Sequence, residues 1–354
     1  MKEFWSDRIR SLTPYTPGEQ PKDRQFIKLN TNENPYPPAP GALRAIRDNA
    51  DASLRLYSDP EASALRRALA EAYGLTPEQV FVGNGSDEVL AFAFQAFFSP
   101  GAEIAAPDIT YSFYPVYANL FDIRYRTVPL NEDFTVPVER FCGGCDGVVI
   151  ANPNAPTGME LSQAEIRRIL EANPDVAVIV DEAYVDFGAA SAVGLIDEYP
   201  NLLVVQTFSK SRALAGLRVG FAFGNENLIQ ALNCVKNSIN SYTLDRLALA
   251  GAAASVADGD YFAAQCARVI ATRERTAEGL RALGFVVYPS KANFIFITHP
   301  AVPAKTLFAG LREKGILVRY FDLPRIDNCL RVSIGTDADM DAFLAAAAEL
   351  TKEG

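Results

Sequence analysis

Five short apolar runs between residues 79 and 223 constrain the fold more than any other feature of the sequence. They are QVFV (79–82), GVVIA (147–151), VAVIV (176–180), LLVVQ (202–206) and VGFAF (219–223). Runs that are apolar at every position are typical of strands buried on both faces of a parallel sheet. Because segments with helical periodicity separate the runs, we expect right-handed crossovers and an α/β fold with a mostly parallel central sheet.

The C-terminal part of the chain has a different pattern and predicts a smaller α+β unit. An Ala-rich helical region, 243–256 and 259–283, precedes four short strand-like segments: GFVVYPS, NFIFIT, GILVRY and LRVSIG. Further helical segments near 303–313 and 337–351 alternate with these strands. The order of helices and strands therefore predicts an α+β domain rather than a continuation of the central sheet.

The first forty residues are rich in Pro and Asn, which indicates an extended arm that packs against the smaller unit. We therefore predict three divisions of the chain. They are an N-terminal arm with part of the small domain at 1–50, a large domain at 51–255, and a small C-terminal domain at 256–354.

The charge balance and the apolar content exclude several classes of protein. The chain carries 43 acidic and 33 basic side chains and a net charge of -10, whereas a nucleic-acid-binding protein needs a basic face. No apolar run approaches the ~18 residues of a membrane-spanning helix. The charged start, MKEFWSDRIRSL, lacks the apolar core of a secretion signal, so we expect a cytoplasmic protein without membrane or nucleic-acid partners.

The single histidine limits the catalytic chemistry. His299 lies in ITHPAVP, at a predicted strand end before a proline, and no serine-containing signature accompanies it, so a histidine-based triad or a multi-histidine metal site is excluded. Acid–base chemistry must then come from Lys, Asp, Glu, Tyr, Cys or a cofactor, and we expect no metal.

Four polar motifs directly follow apolar runs. They are GNGSDE (83–88), NPNAPTG (152–158), DEAY (181–184) and TFSKSRALAGLRVG (207–220). Ligands of parallel α/β sheets bind at the carboxyl ends of the strands. The four motifs are therefore expected to meet at one rim of the sheet and to form one site.

Each motif has both a functional and a purely structural interpretation. The turn at Gly85 opens a helical segment and can bind phosphate, although Ser86 or Asp87 could simply cap the helix. Asp181 ends an apolar strand, where a carboxylate is costly to bury without a cation. Lys210 could be a phosphate clamp, an ion-pair partner or a lysine that forms a Schiff base.

These motifs resemble pyridoxal-phosphate-dependent aminotransferases of fold type I, and among them most closely the histidinol-phosphate aminotransferase family. The resemblance covers nearly the whole chain and rests on the order of its motifs and on the separation of 29 residues between Asp181 and Lys210. Besides the four motifs above, it includes LTPYTPG (12–18), LNTNENP (29–35), RLYSDP (55–60), ITYSFY (109–114), KNSINSYTLD (236–245), ANFIFI (292–297) and LRVSIGT (330–336).

The resemblance implies pyridoxal 5'-phosphate as cofactor and assigns the catalytic residues. Lys210 would bind the cofactor aldehyde and later move the proton at the substrate α-carbon. Asp181 would keep the pyridine nitrogen protonated, and Tyr184 would donate a hydrogen bond to the phenolic oxygen of the cofactor.

The resemblance also implies the remaining cofactor contacts. The phosphate would be held by a set of small, acidic and basic residues: Gly85, Ser86, Asp87, Thr207, Ser209 and Arg218. Tyr111 would stack on the ring, and Tyr57 would reach the phosphate from a neighbouring subunit, which implies a homodimer. The family has an Asn directly before PTG, but this chain has Ala155. Either Asn154 or Asn152 supplies the amide through a shifted loop, or Tyr184 acts alone, and we assign the contact to Asn154.

For the substrate, the resemblance implies that Arg331 grips an anionic group, with Tyr15, Asn32 and Arg319 as further lining residues. The expected reaction exchanges the amino group of L-histidinol phosphate with 2-oxoglutarate, giving imidazole-acetol phosphate and glutamate in histidine biosynthesis. An aromatic aminotransferase, a threonine-phosphate decarboxylase and a non-enzymatic ligand-sensing domain stay open as alternatives.

The CGGC segment at Cys142 and Cys145 stands apart from these motifs. A zinc site normally needs four ligands, and no second paired spacing of cysteines occurs. The segment is therefore either a glycine turn before the strand at 147 or a redox pair.

Overall fold

The computed structural model describes residues 4–21 and 25–352. The strands in chain order are β1 Ile27–Lys28, β2 Val80–Gly83, β3 Glu103–Pro107, β4 Arg124–Val128, β5 Gly147–Ala151, β6 Val178–Asp181, β7 Leu202–Thr207, β8 Gly220–Gly224, β9 Val286–Val287, β10 Phe294–Thr298, β11 Ile316–Leu317, β12 Arg319–Tyr320 and β13 Leu330–Ser333.

The α-helices lie before, between and after these strands. They are α1 Asp7–Arg10, α2 Pro40–Asp48, α3 Ser63–Tyr73, α4 Ser86–Phe97, α5 Tyr114–Leu120, α6 Gln163–Glu171, α7 Glu226–Ile239, α8 Arg246–Ala257, α9 Gly259–Ala282, α10 Ala304–Glu313 and α11 Asp337–Lys352. None of the described helices is both long and apolar enough to cross a bilayer.

The central sheet has the strand order β2-β8-β7-β6-β5-β3-β4. Each of the five apolar runs forms one of its strands, and all five strands are fully buried, as the sequence predicts. The edge strand β4 is half-exposed and contains three polar residues, which explains why its sequence does not read as a buried strand.

One strand departs from the expected parallel arrangement. β8 is antiparallel to both of its neighbours, β2 and β7. The pairings β3–β4, β3–β5, β5–β6 and β6–β7 are parallel. The cause is the connection after β7, which returns through residues 208–219 at the same edge of the sheet instead of crossing over in a helix. β8 therefore begins at the rim where β5, β6 and β7 end, and this places both ends of the connection at one site.

The second sheet lies in the C-terminal part of the chain and has the order β12-β13-β10-β9, with antiparallel pairings throughout. The N-terminal arm joins this part, since β1 pairs in parallel with β11. Separate apolar clusters lie on the two faces of the central sheet and beneath the second sheet. The division of the chain at residues 50 and 255 stays a prediction.

The Ala-rich helix α8 makes a close contact between helices, as its composition suggests. A Cβ at Gly251 would lie 2.8 Å from Ile46 Cγ1 in α2, so only glycine permits this approach. The CGGC segment is a bend in which Gly143 and Gly144 both have positive φ, and Cys142 and Cys145 are free thiols. His299 packs on Phe285 and accepts hydrogen bonds from two backbone amides of the next turn, which is a structural role.

Substitution of Gly220, at the start of β8, tests the close packing at the rim of the sheet. A Cβ there would lie 2.2 Å from the backbone nitrogen of Ser86 and 2.3 Å from the carbonyl carbon of Gly85. Because backbone atoms cannot move aside, Gly220→Ala should lower the free energy of unfolding by about 2 kcal/mol or more, measured by urea denaturation. The matched variant Gly194→Ala, with open space around its Cβ, should change it little, and equal effects of both would contradict this packing.

Candidate active site

The polar motifs meet in one cavity of about 270 Å³ at the carboxyl ends of β5, β6 and β7. Residues from each of the four motifs line it, together with the N-terminal arm and the second sheet. The predicted site residues in its lining are Tyr15, Asn32, Ser86, Asp87, Tyr111, Asp181, Tyr184, Thr207, Ser209, Lys210, Arg218, Arg319 and Arg331. The expected convergence at one rim of the sheet is therefore present in the structure.

Asp181 is the most deeply buried acid of the cavity. It is the last residue of β6 and is 5% exposed. Burial raises the pKa of its carboxyl to about 6, although Tyr114 donates a hydrogen bond of 2.8 Å to Oδ2 and the amide of Ala183 donates to Oδ1. Two donors are thus insufficient to offset the loss of water, and the carboxylate is suited to meeting a cationic group of a ligand.

Lys210 lies in the connection between β7 and β8 and is the lysine of the cavity. Its Nζ donates to the carbonyl of Thr31 at 3.2 Å and lies 5.7 Å from the centre of the Tyr184 ring. The charge of Lys210 favours the ionised form of Asp181, although burial is the stronger influence on that carboxyl. The amine is therefore held inside the cavity by a single backbone acceptor and is not tied up in an ion pair among the described residues.

The turn at Gly85 and the loop after β7 form a cradle for an anion. Gly85 has φ +83° and precedes α4, which begins at Ser86, so neither Ser86 nor Asp87 is the N-cap that the structural interpretation suggested. The first amide groups of α4 face the cavity rim with the positive end of the helix dipole. A Cβ at Gly85 would lie 2.4 Å from Arg218 Nη2, so glycine is required for the guanidinium to approach.

Arg218 connects the two sides of this cradle. It has φ +53°, pairs with Asp87 Oδ2 at 3.2 Å and donates to Ser209 Oγ at 3.5 Å. Tyr111 donates to the other oxygen of Asp87 at 2.9 Å, which holds its ring at the cavity wall. The arrangement fixes the basic group while leaving it half-exposed toward the cavity.

Asn154 is the predicted residue whose amide the structure turns away from the cavity. Its Nδ2 donates to the carbonyl of Ile109 at 2.9 Å and to Thr157 Oγ1 at 3.0 Å, and its Oδ1 accepts from Thr110 Oγ1. Both amide hydrogens are therefore used within the loop. The assignment of the cofactor contact to Asn154 is not supported, and the neighbouring residue in the cavity lining, Ala155, brings no polar side chain.

The second sheet contributes two arginines to the cavity wall, Arg319 from β12 and Arg331 from β13. Arg331 donates from Nη2 to the carbonyl of Asn30 at 2.8 Å, while its buried Nε has no hydrogen-bond partner. Burial lowers the pKa of Arg331, and the nearby charge of Arg319 lowers it further. Among the described residues no carboxylate pairs with either guanidinium, so this wall is suited to an anionic ligand group.

Besides Asn154, two predicted site residues do not line the cavity. Gly85 supports the cradle from behind Arg218 and does not line the cavity. Tyr57 is 78% exposed and stacks on Tyr242 at 4.5 Å between ring centres, outside the cavity of its own chain.

Two residues that contact the catalytic groups were not predicted from the sequence: Tyr114, the donor to Asp181, and Thr31, the acceptor for Lys210. Tyr111 and Tyr114 lie three residues apart in ITYSFY, and the sequence does not show which of the two reaches the carboxylate. Thr31 acts through its backbone carbonyl, which carries no residue-specific signal.

The raised pKa of Asp181 predicts a pH-dependent cost of folding in the cofactor-free protein. A carboxyl that binds its proton more tightly when folded destabilises the protein as the pH rises from its unfolded pKa through its folded pKa of about 6. At pH 8 the cofactor-free Asp181→Asn variant should therefore be more stable than the wild type, by up to about 3 kcal/mol. Denaturation series at several pH values should show this difference shrinking as the pH falls from 6 toward 4, and a constant difference would contradict the assignment.

Comparisons with known proteins identify the family of the chain. The family profile described as "Aminotransferase class I and II" matches residues 24–346. A histidinol-phosphate aminotransferase of Clostridium acetobutylicum is 56% identical over 344 residues, which cover 97% of this chain and 98% of that protein. One of Acetobacter pasteurianus is 57% identical over 346 residues, 98% of this chain and 97% of that protein.

Among solved structures, histidinol-phosphate aminotransferase of Sinorhizobium meliloti in complex with pyridoxal-5'-phosphate is similar with a TM-score of 0.88. It is 26% identical and covers 100% of this chain and 99% of that chain. An aspartate aminotransferase of Thermus thermophilus, 21% identical with a TM-score of 0.84, shares the fold. The chain therefore belongs to the class I and II aminotransferase family, as its motifs predict.

Proposed function

We propose that the protein is a pyridoxal-phosphate-dependent aminotransferase that exchanges the amino group of L-histidinol phosphate with 2-oxoglutarate, a step of histidine biosynthesis. The observation that carries the proposal is a single cavity that combines Lys210 and the buried Asp181 with Arg331, whose buried Nε has no partner. The names of the relatives that are 56% and 57% identical support this choice of substrate.

The residues present fit the cofactor. A pyridinium nitrogen would supply the cation that the buried Asp181 lacks, and a phosphate would complete the cradle of α4, Ser209 and Arg218. The bound cofactor supplies an aldehyde for Lys210 and a ring that accepts electrons from the α-carbon of the substrate.

The protein's own groups then bind, orient and move protons. Asp181 keeps the ring nitrogen protonated, and Tyr184 lines the cavity with a hydroxyl that can donate to the phenolic oxygen of the cofactor. Lys210 would be the amine that takes and returns the proton at the substrate α-carbon. Because the amino group is stored between two half-reactions, we expect ping-pong kinetics.

The pair of arginines supports a phosphorylated donor. Arg331 is half-buried with its Nε shielded from solvent, and Arg319 approaches it without an intervening carboxylate among the described residues. Two guanidinium groups match the charge of a phosphate better than that of a single carboxylate. The same wall can accept the carboxylates of 2-oxoglutarate in the second half-reaction.

Two alternatives retain specific support. The cavity lining contains the aromatic rings of Tyr15 and Phe321, which would also suit the side chain of a phenylalanine or tyrosine donor. A threonine-phosphate decarboxylase would use the same arginines and cofactor. A ligand-sensing domain without catalysis would not need an amine beside the buried acid.

A substrate panel with the cofactor-loaded protein separates these functions. Histidinol phosphate should give kcat/KM at least about tenfold above that of phenylalanine, since the second arginine binds its phosphate. Arg319→Ala should lower kcat/KM more for histidinol phosphate than for phenylalanine, and release of carbon dioxide from threonine phosphate should be absent. Lys210→Ala should lose both the activity and the absorbance band of the lysine–cofactor linkage.

Equal kcat/KM for histidinol phosphate and phenylalanine would contradict the proposed substrate but not the proposed cofactor. A colourless wild-type protein after incubation with pyridoxal phosphate would contradict the cofactor as well.

We also propose that the active unit is a homodimer to which Tyr57 contributes across the subunit boundary. The support is an exposed apolar surface formed by Leu54, Leu56, Tyr57, Ile239 and Tyr242. The backbone under this surface is fixed, because Arg246 donates to the carbonyls of Leu56 and Tyr57. A rigid apolar surface of this kind is typical of a contact between subunits.

Complementation between two defective variants tests this assembly. Tyr57→Ala should weaken retention of the cofactor, and Lys210→Ala should be inactive. If Tyr57 acts across the boundary, unfolding and refolding the two variants together should restore part of the activity, since hybrid dimers contain one site with both residues intact. Activity no higher than the sum of the separate variants, or a monomeric mass by light scattering, would contradict the proposal.

We propose the cytoplasm as the site of this reaction. The five cysteines are free thiols in the structure, as is usual for proteins of a reducing compartment.

A further inference from the structure

A buried chain of hydrogen bonds connects the second sheet to Tyr184. Asn32 is 1% exposed and Ser333, at the end of β13, is 2% exposed. The backbone amide of Asn32 donates to Ser333 Oγ at 2.9 Å, and Ser333 Oγ donates to Asn32 Oδ1 at 2.8 Å. Asn32 Nδ2 in turn donates to the hydroxyl oxygen of Tyr184 at 3.0 Å.

The directions of these bonds follow from the one group that can only donate. The backbone amide of Asn32 has no acceptor capacity, so Ser333 Oγ accepts from it and directs its own single hydrogen to Asn32 Oδ1. In this arrangement the oxygen end of the Asn32 amide faces Ser333, and its amino end faces Tyr184.

The surroundings keep Asn32 in this orientation. Its backbone has φ +56°, a left-handed conformation that Asn tolerates better than most residues. Asn293, fully buried, donates from Nδ2 to the carbonyl of Asn32 at 3.0 Å. Hydrogen bonds thus fix both the amide and the carbonyl of the Asn32 backbone, and the two ends of its side-chain amide bond to Ser333 and Tyr184.

The consequence falls on the one hydrogen of the Tyr184 hydroxyl. Because its oxygen accepts from Asn32, that hydrogen cannot be directed to Asn32 and is available to an acceptor in the cavity, which Tyr184 lines. Ala155 brings no second side-chain donor to this region, and the amide of Asn154 is used elsewhere. Tyr184 is therefore left without a second side-chain donor from these two positions, and an acceptor in the cavity depends on the direction of its hydrogen.

We propose that Ser333 is a positioning residue that acts through Asn32 to hold the Tyr184 hydroxyl as a hydrogen-bond donor to the phenolic oxygen of the cofactor. The inference rests on the proposed cofactor. A donor at that oxygen stabilises its negative charge and so lowers the proton affinity of the neighbouring nitrogen in the lysine–cofactor linkage. Loss of the hydrogen bonds that run from Ser333 through Asn32 to Tyr184 should therefore raise the pKa of that nitrogen.

The test is a spectrophotometric pH titration of the lysine–cofactor absorbance band, made without substrate. Ser333→Ala should shift the pKa of the linkage upward by about 0.5 to 1 unit, the range expected for one weakened hydrogen bond. Asn32→Gly, which retains the left-handed backbone and removes the amide, should shift it in the same direction. Ser333→Thr retains the hydroxyl and should restore the wild-type value.

Making the same substitution in a protein that lacks the Tyr184 hydroxyl separates a positioning role from a general structural effect. In a Tyr184→Phe protein, Ser333→Ala should cause no further shift, because the hydroxyl through which it acts is gone. Ser255→Ala removes another buried serine outside the cavity and should leave the titration unchanged. If the Ser333→Ala protein does not fold or does not bind the cofactor, Asn32→Gly decides the question in the proteins with Tyr184 and with Tyr184→Phe.

Two results would overturn the proposal. One is an unchanged pKa in a folded, cofactor-loaded Ser333→Ala or Asn32→Gly protein, and the other is an equal shift with and without the Tyr184 hydroxyl. Both are distinct from failure of the proposed function, in which the wild-type protein would show no lysine–cofactor band to titrate.

Discussion

The burial of the Asp181 carboxylate is the constraint around which the site is organised. It terminates β6 between β5 and β7, where register pairing places Asp181 beside Ala151 and Val205. An ionised carboxylate loses its hydration there, and the hydrogen bonds from Tyr114 and Ala183 do not restore it, as its raised pKa shows. The folded chain thus holds an acid whose stable partner must be a cation brought by a ligand.

The reversal of the chain between β7 and β8 provides the remaining groups. A helical crossover after β7 would have carried residues 208–219 to the far edge of the sheet, whereas the short return keeps Lys210 and Arg218 at the rim beside Asp181. The second sheet adds Arg331, whose Nε is shielded from solvent and which lacks a counter-ion among the described residues. A ligand with a cationic ring and anionic groups satisfies both buried charges at once.

Much of this organisation could be predicted from the sequence, since it depends on local patterns. Apolar runs followed by polar motifs predicted the strands and their common rim, and Asp181 and Lys210 follow from strand ends. The orientation of β8 could not be predicted, because its fully buried residues have the same apolar pattern in a parallel or an antiparallel neighbour. The same holds for Asn154 and Tyr114, whose side-chain directions depend on contacts with residues 109–110 and 181 that are distant in sequence.

The central claim is that the buried carboxylate of Asp181 keeps the ring nitrogen of the cofactor protonated. The most direct test is nitrogen NMR of the protein loaded with cofactor labelled with ¹⁵N in the ring, since the chemical shift reports the protonation state. The account predicts a protonated ring nitrogen in the wild type near neutral pH and a largely unprotonated one in Asp181→Asn. An unprotonated ring nitrogen in the wild-type protein, or the same shift in both proteins, would contradict it.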